Sequence, residues 1–127
     1  MFIQIEPTSD IPIYNQVANQ LTELIARGQL VNGDSLPSVR ALASDLGVNM
    51  HTVNKSYHTL EQKGIIRIVP KSGAIINSIT SDGITTANRQ KIIQQLKPIV
   101  AEAVVFGMTP DEIEKLTTTI LKELQEE

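Results

Sequence analysis

The sequence predicts a mostly helical α+β fold, in which an N-terminal winged helix-turn-helix is followed by a short two-helix tail. Only Gly47 and Val48 separate one predicted helix from Asn49, the predicted cap of the next, which is typical of a helix-turn-helix. Two β-branched runs then flank a Pro-Lys-Ser-Gly turn, and two amphipathic stretches follow a polar segment. We therefore expect a winged helix-turn-helix over 1–78, a linker over 79–88 and a helical region over 89–127.

The first elements are predicted from alternation and from helical spacing. Ile3 and Ile5 alternate with polar residues and predict a short strand. Ser9 or Asp10 is expected to cap the first helix, which Gly28 should end. The apolar face of this helix is predicted to consist of Ile13, Val17, Leu21, Leu24 and Ile25.

The helix-turn-helix is defined by its caps. Residues 31–37 are rich in turn-forming residue types and are predicted to form a turn. Ser38 should cap the second helix, which Gly47 ends, and Asn49 should cap the third helix, which Gly64 ends. The inner faces of the two helices are predicted to be Val39, Leu42, Ala43 and Leu46 on the second, and Val53, Tyr57 and Leu60 on the third.

The wing is predicted from two β-branched runs, at 65–69 and 74–76, on either side of the turn at 70–73. Three helices followed by a hairpin give a winged helix-turn-helix with no element left over.

The tail carries two apolar stripes that end at glycine and at the chain end. Pro98 is expected to kink or restart the first tail helix, which Gly107 ends. Thr109 and Glu112 form a capping box for the second helix. Two short helices cannot bury both stripes against each other, so a homodimer surface is expected. Its predicted residues are Ile92, Leu96, Ile99, Val100, Ala103, Val104, Ile113, Leu116 and Ile120.

Composition narrows the classes of function. The 127 residues contain no cysteine, which excludes disulfides and thiolate metal sites and fits the reducing cytoplasm. No run approaches the roughly eighteen apolar residues of a membrane span. The formal net charge is −3, but 10–78 hold six Lys+Arg and five Asp+Glu, whereas 79–127 hold five and eight. Nucleic-acid binding by bulk positive charge is therefore not expected.

The third helix carries the candidate DNA-binding residues. If Val53, Tyr57 and Leu60 face inward, the outer side carries Met50, His51, Asn54 and Lys55, while Asn49 and Thr52 lie on the first turn. An Asn amide can form paired hydrogen bonds to adenine and a His ring can contact a base edge, whereas Lys suits phosphate. Met50 could equally contact a thymine methyl group or nothing. Tyr57 and Phe106 are expected in the core.

Several linked motifs resemble the GntR family of bacterial transcription factors. They are Ile11-Pro-Ile-Tyr-Asn-Gln, Leu36-Pro-Ser-Val-Arg-Ala-Leu-Ala, Gly47-Val-Asn, Thr52-Val, Lys55 with Tyr57, and Leu60-Glu-Gln-Lys-Gly. The short tail, with Phe106-Gly-Met-Thr-Pro-Asp-Glu-Ile, resembles the YtrA-type subgroup. The resemblance implies a winged-helix head, a two-helix dimerisation tail and no large effector domain. It also implies that Arg40 contacts DNA, with Ser38 as a cap and a phosphate contact.

The wing departs from the subgroup pattern. Relatives carry arginines before a Gly-Lys-Gly-Thr turn, whereas this chain has Val-Pro-Lys-Ser-Gly-Ala at 69–74. Lys71, Ser72 and Gly73 remain as candidates for the minor groove or a phosphate, so weaker wing contact is expected.

These observations predict a sequence-specific transcription regulator, a homodimeric repressor that reads an inverted-repeat operator in double-stranded DNA through the third helix (49–63) and the wing (69–75). The alternative is a winged-helix protein-interaction module that does not bind DNA. No enzyme, cofactor or metal site is expected, because His51 and His58 are seven residues apart and lack further ligands. A small-molecule effector, at the dimer interface or between head and tail, stays open.

Overall fold

The computed structural model describes residues 3–77 and 83–126 and divides into two compact units, Met1–Ile79 and Thr80–Glu127. The first unit contains α1 (Ile13–Ala26), β1 (Ser35–Leu36), α2 (Val39–Leu46), α3 (Met50–Gln62), β2 (Ile66–Val69) and β3 (Gly73–Ile76). The second contains α4 (Thr86–Val105) and α5 (Pro110–Gln125). The predicted fold class, a winged helix-turn-helix followed by a helical tail, is confirmed.

The N-terminal segment is held by side chains and not by a neighbouring strand. The Gln20 amide accepts a hydrogen bond from the Gln4 N–H at 2.8 Å and donates one to the Gln4 carbonyl at 2.7 Å. The Gln16 amide likewise accepts a hydrogen bond from the Glu6 N–H and donates one to the Glu6 carbonyl. The predicted strand at 3–5 is therefore wrong, because these side-chain amides take the positions that a partner strand would fill.

Helix α1 begins one turn later than predicted. Its N-cap is Pro12, which makes no side-chain cap, so the predicted cap at Ser9 or Asp10 is wrong. The Ser9 hydroxyl instead accepts from the Ile11 N–H at 3.1 Å. The helix ends as predicted, with Gly28 at a φ of +78°, a conformation that favours glycine.

The caps of α2 and α3 follow the prediction. The Ser38 hydroxyl accepts from the Ala41 N–H at 3.1 Å, and the Asn49 side-chain Oδ1 accepts from the His51 N–H at 2.7 Å. Gly47 is left-handed at a φ of +69° and closes α2. These local bonds fix the angle at which α3 leaves the turn.

The core of the first unit is aliphatic, with one aromatic ring among its side chains. Tyr57 is fully buried, and its hydroxyl donates to the Pro37 carbonyl at 2.7 Å. Burial raises the pKa of Tyr57 to about 12. The core residues are Val17, Ala18, Leu21, Leu24, Leu36, Leu42, Ala43, Val53, Tyr57, Leu60, Ile66, Ala74 and Ile76.

The sheet has three strands in the order β1-β3-β2, all antiparallel. The prediction of a turn throughout 31–37 is wrong at its end, because Ser35 and Leu36 pair with Ile75 and Ala74. A two-residue strand is too short to show the alternation on which strand prediction relies. The predicted hairpin of β2 and β3 is confirmed.

Helix α4 begins earlier than predicted and is continuous. It begins at Thr86, with the Thr85 hydroxyl accepting from the Asn88 N–H at 3.1 Å, so 86–88 are helical and not linker. Residues 79–82 of the predicted linker lie outside the described residues. The helix continues through Pro98 at the cost of one backbone hydrogen bond, so the predicted alternative of a restart is wrong, and the alternative of a kink stays a prediction.

The capping box that begins α5 is confirmed. The Thr109 hydroxyl accepts from the Glu112 N–H at 3.2 Å, and the Glu112 carboxylate accepts from the Thr109 N–H at 3.1 Å. The latter bond lowers the pKa of the Glu112 carboxyl. This cap places the N-cap Thr109 two residues after Gly107, so that α5 begins at Pro110.

Among the described residues of the second unit, most large apolar side chains are exposed in the single chain and the others are half-buried. Among the described residues of α4 and α5, none is fully buried. The expectation that Phe106 is a core residue is wrong, since it is 78% exposed, and Val105 beside it is 81% exposed. Within the described ranges, no helix combines the length and apolar content that a membrane span requires.

Candidate nucleic-acid interface

Helix α3 presents one polar face to solvent. His51, Asn54 and Lys55 are exposed and Thr52 is half-buried, while Val53 and Tyr57 are buried on the opposite side. The predicted inward and outward faces are therefore the observed ones. Such a face, on a helix that leaves a short turn, is what a duplex major groove accepts.

A cleft joins this face to α2 and the wing. Arg40 from α2, Asn54 from α3 and Lys71 from the wing turn all line it. The other lining residues are Ser38, Val39, Ile68, Val69 and Gly73. Sequence reasoning identified the polar members but not Val39, Ile68 and Val69, because apolar residues on such elements are assigned to the core by default.

The cationic groups of the cleft are not neutralised by nearby acids. No described carboxylate lies within salt-bridge distance of Arg40 or Lys71, whereas Lys115 and Asp111 form an ion pair in α5. An exposed guanidinium with five donors suits a guanine edge or a phosphate. The cleft thus combines a cation, an amide and a second cation on three separate elements.

Two predicted contact residues are already committed to helix caps. Ser38 and Asn49 each accept a backbone N–H with the side-chain oxygen. The Ser38 hydroxyl can still donate its hydrogen, and the Asn49 side chain still has its NH₂ group. Each can therefore donate to a phosphate while it caps its helix.

The three candidate residues of the wing turn, at 71–73, differ in exposure. Val69 accepts from the Ser72 N–H at 3.0 Å, and Lys71 has a φ of +67° at the tip. Lys71 and Ser72 are exposed, whereas Gly73 is buried with a φ of +97°. A Cβ at this glycine would lie 2.4 Å from the Leu36 carbonyl oxygen. Gly73 therefore has a packing role, since it allows β3 to approach the chain at Leu36.

Lys55 lies apart from the cleft. Its ammonium is 4.0 Å from the centre of the Tyr14 ring on α1. Asn54 and Lys55 are consecutive, so their side chains leave α3 about 100° apart. The exposed face of α3 therefore has Asn54 on one flank and Lys55 on the other.

Glu61 is a residue that sequence reasoning missed. Its carboxylate accepts from the Ile68 N–H of β2 at 2.8 Å and so ties α3 to the wing. Nothing in the spacing of Glu61 indicates this bond, since the wing reaches it only after folding. No cluster of three or more His, Cys, Asp or Glu side chains that could hold a metal occurs in the described part of the chain.

This arrangement defines a winged-helix DNA-binding protein. The sequence profile described as bacterial regulatory proteins, gntR family, matches residues 13–76. The chain is 39% identical over 114 residues to the HTH-type transcriptional repressor YtrA of Bacillus subtilis strain 168, covering 90% of this chain and 85% of that protein. The chain belongs to the GntR family of bacterial transcription regulators. The predicted class of DNA-binding regulator and the YtrA-type resemblance are thereby confirmed.

Two solved structures resemble the fold. A transcriptional antiterminator from Listeria monocytogenes EGD-e matches with a TM-score of 0.90 and 28% identity over 100% of this chain and 95% of that one. The AraR DNA-binding domain in complex with operator ORX1 matches with a TM-score of 0.52 and 25% identity over 58% of this chain and 92% of that one. The neighbours thus include a DNA-bound form of the head.

Proposed function

We propose that this regulator represses transcription as a homodimer that binds an inverted-repeat operator, with α3 and the wing of each protomer on one half-site. The observation that carries the proposal is the convergence of Arg40, Asn54 and Lys71 on one cleft beside the exposed face of α3. The relative from Bacillus subtilis is named a transcriptional repressor. A repressor that acts on a bacterial chromosome works in the cytoplasm. Repression by binding to DNA requires no catalytic group or cofactor.

The contact roles in this proposal follow from the chemistry of each side chain. Arg40 and Asn54 read base edges together with His51, while Lys55 and Lys71 bind phosphates. Ser38, Asn49, Thr52 and Ser72 donate hydrogen bonds to the backbone of the duplex. Gly73 supports the wing by packing.

The homodimer is proposed from the exposed apolar faces of the tail. A single winged helix contacts few base pairs, and a two-fold dimer doubles the contacts and reads both half-sites. Ile92, Leu96 and Ile99 are 54%, 52% and 66% exposed, and Leu116 and Ile120 are 49% and 47% exposed. Val100, Ala103, Val104 and Ile113 complete the proposed surface. Such a contiguous apolar surface marks an interface in a protein of this size.

The DNA contact is tested with the duplex upstream of the protein's own operon. Arg40→Ala should weaken binding about tenfold or more, because a bidentate contact to a base is lost. The matched control is Lys63→Ala, which removes one positive charge at the far end of α3. Equal affinity of the two variants, or absence of sequence preference in the parent protein, would contradict the proposal and favour the protein-interaction module.

The dimer is tested by sedimentation. Leu96→Glu places a charge in the proposed surface and should convert the dimer to monomers while the first unit stays folded. Gln94→Glu is the control, since position 94 lies on the opposite side of α4 from the apolar stripe. A monomeric parent protein, or a dimer that survives Leu96→Glu, counts against this interface.

A further inference from the structure

The first turn of α1 carries an aromatic side chain that neither the fold nor the proposed cleft uses. Tyr14 is half-buried, and the Lys55 ammonium lies over its ring at 4.0 Å. No hydrogen bond to the Tyr14 hydroxyl occurs within 3–77 or 83–126. The Tyr14 ring therefore contacts the exposed face of α3 at the Lys55 side chain.

The position of Tyr14 relative to α3 is fixed by its backbone. The hydroxyl of Ser56, fully buried on α3, donates to the Tyr14 carbonyl at 2.8 Å. This bond ties the start of α1 to the middle of α3 whatever side chain stands at position 14. A change of the Tyr14 side chain can therefore alter Lys55 without moving the helices.

The two flanks of α3 face different walls of a groove. A helix in the major groove has a phosphate backbone on each side. Asn54, with Arg40 and Lys71, occupies one flank. Lys55, over Tyr14, occupies the other. A lysine on this second flank is the charge available there for the opposite phosphate strand.

The Tyr14 ring restricts the conformational freedom of the Lys55 side chain. A free lysine loses much rotamer entropy when its ammonium is held at one phosphate. An ammonium held over an aromatic face has given up part of that freedom before DNA arrives, and its charge stays available because the ring is neutral. A carboxylate at the same place would neutralise it.

We propose that Tyr14 is a positioning residue for DNA binding: its ring holds the Lys55 ammonium at a backbone phosphate on the groove wall opposite to the one that Lys71 approaches. The DNA-binding surface then extends from α2, α3 and the wing to the first turn of α1. This inference rests on the proposed docking of α3 in the major groove.

A double-mutant cycle on operator affinity tests the proposal. Tyr14→Phe keeps the ring and should bind within about twofold of the parent protein, whereas Tyr14→Leu should bind about fivefold more weakly. Lys55→Met should lower affinity further and reduce the slope of log K against log salt by about one per protomer. In the Lys55→Met background, Tyr14→Leu should cost nothing more. Thermal melting of each variant checks that the head remains folded.

A neutral phosphate provides a readout that a purely structural role would not change. Replacing operator phosphates one at a time by methylphosphonate should identify one position per half-site where the parent protein loses affinity and Tyr14→Leu does not. Equal losses for Tyr14→Phe and Tyr14→Leu, or an undiminished loss in the Lys55→Met background, would overturn the proposal. If Arg40→Ala also leaves affinity unchanged, the docking itself has failed; if Arg40→Ala weakens binding as expected, the failure belongs to Tyr14 alone.

Discussion

Lys71 stands in a backbone conformation that side chains other than glycine rarely adopt. Its φ of +67° follows Pro70, and Val69 accepts the Ser72 N–H across the turn. The pattern is that of a type II turn, which normally has glycine at this position. The strained position of Lys71 at the tip of the wing supports its proposed phosphate contact.

Replacing this lysine should therefore separate stability from binding. Lys71→Gly is expected to stabilise the fold by about 1 kcal/mol, because the left-handed conformation costs glycine little. The same change should weaken operator binding and reduce the salt slope, because one cation per protomer is lost. Melting temperature and titration against operator DNA measure the two effects. Lys71→Asn is the control, since Asn tolerates this conformation without charge; a Gly variant that binds as tightly as the parent would contradict the assigned role.

The buried hydroxyl of Tyr57 makes stability depend on alkaline pH. Burial raises the pKa of Tyr57 to about 12, above its ordinary value of 10.0. The unfolded chain therefore releases this proton first, so the contribution of Tyr57 is complete below pH 10 and falls as the pH rises towards 12. Denaturant unfolding from pH 8 upwards should show a decline that Tyr57→Phe lacks.

The Phe variant also reports on the hydrogen bond itself. At neutral pH it should be less stable by about 1–3 kcal/mol, because the Pro37 carbonyl loses its partner. Parallel stability curves for the parent and the variant above pH 10 would contradict the burial of an ionisable hydroxyl at this position.

At the scale of elements, prediction succeeded where the information is local. Ser38, Asn49 and Thr109 cap their helices through bonds to backbone within three residues, and such bonds are visible in the sequence. The exposed face of α3 followed from periodicity alone. The DNA contact of Arg40 stays a prediction that rests on the family resemblance, because a solvated surface arginine has the same local pattern.

Prediction failed where a contact joins distant parts of the chain. The Gln16 amide bonds to the backbone of Glu6 and the Gln20 amide to the backbone of Gln4, and no rule of sequence spacing predicts these pairs. Strand β1 exists because β3 offers an edge to it some forty residues later. The Lys55–Tyr14 contact is of the same kind, since it depends on the crossing of α1 and α3.

At the scale of elements, the hydrogen bond from the Ile68 N–H to the Glu61 carboxylate links the wing to α3, and this link can be tested by mutation. Glu61→Ala removes the acceptor of the Ile68 N–H, so that amide should exchange with solvent faster and the fold should lose about 1 kcal/mol. Operator binding should weaken because the wing is less well fixed relative to α3. Glu61→Gln retains a carbonyl acceptor and should show a smaller change in both. Unchanged protection of the Ile68 amide in Glu61→Ala would contradict this role.

At the scale of the whole molecule, charge is distributed unevenly between the N-terminal and the C-terminal regions of the chain. Residues 79–127 carry the acid excess, while 10–78 are slightly basic. The head is close to neutral, and in the proposed binding mode its contacting cations, Arg40, Lys55 and Lys71, act by their positions and not by bulk charge. Acidic residues in the tail limit attraction to DNA of arbitrary sequence.

This distribution predicts a shallow salt dependence for operator binding. The two lysines of each protomer that are proposed to bind phosphates, Lys55 and Lys71, give about four phosphate contacts per dimer, and counterion release then gives a slope of log K against log salt near −4. The slope is measured by titrating operator DNA at several salt concentrations. Lys63→Ala should leave it unchanged, whereas Lys55→Met and Lys71→Gly should each make it shallower by about two per dimer. A slope that implies more than about ten phosphates per dimer would contradict the view that affinity rests on dimerisation and specific contacts. It would show that cations outside the described cleft and the Tyr14–Lys55 pair contact the duplex.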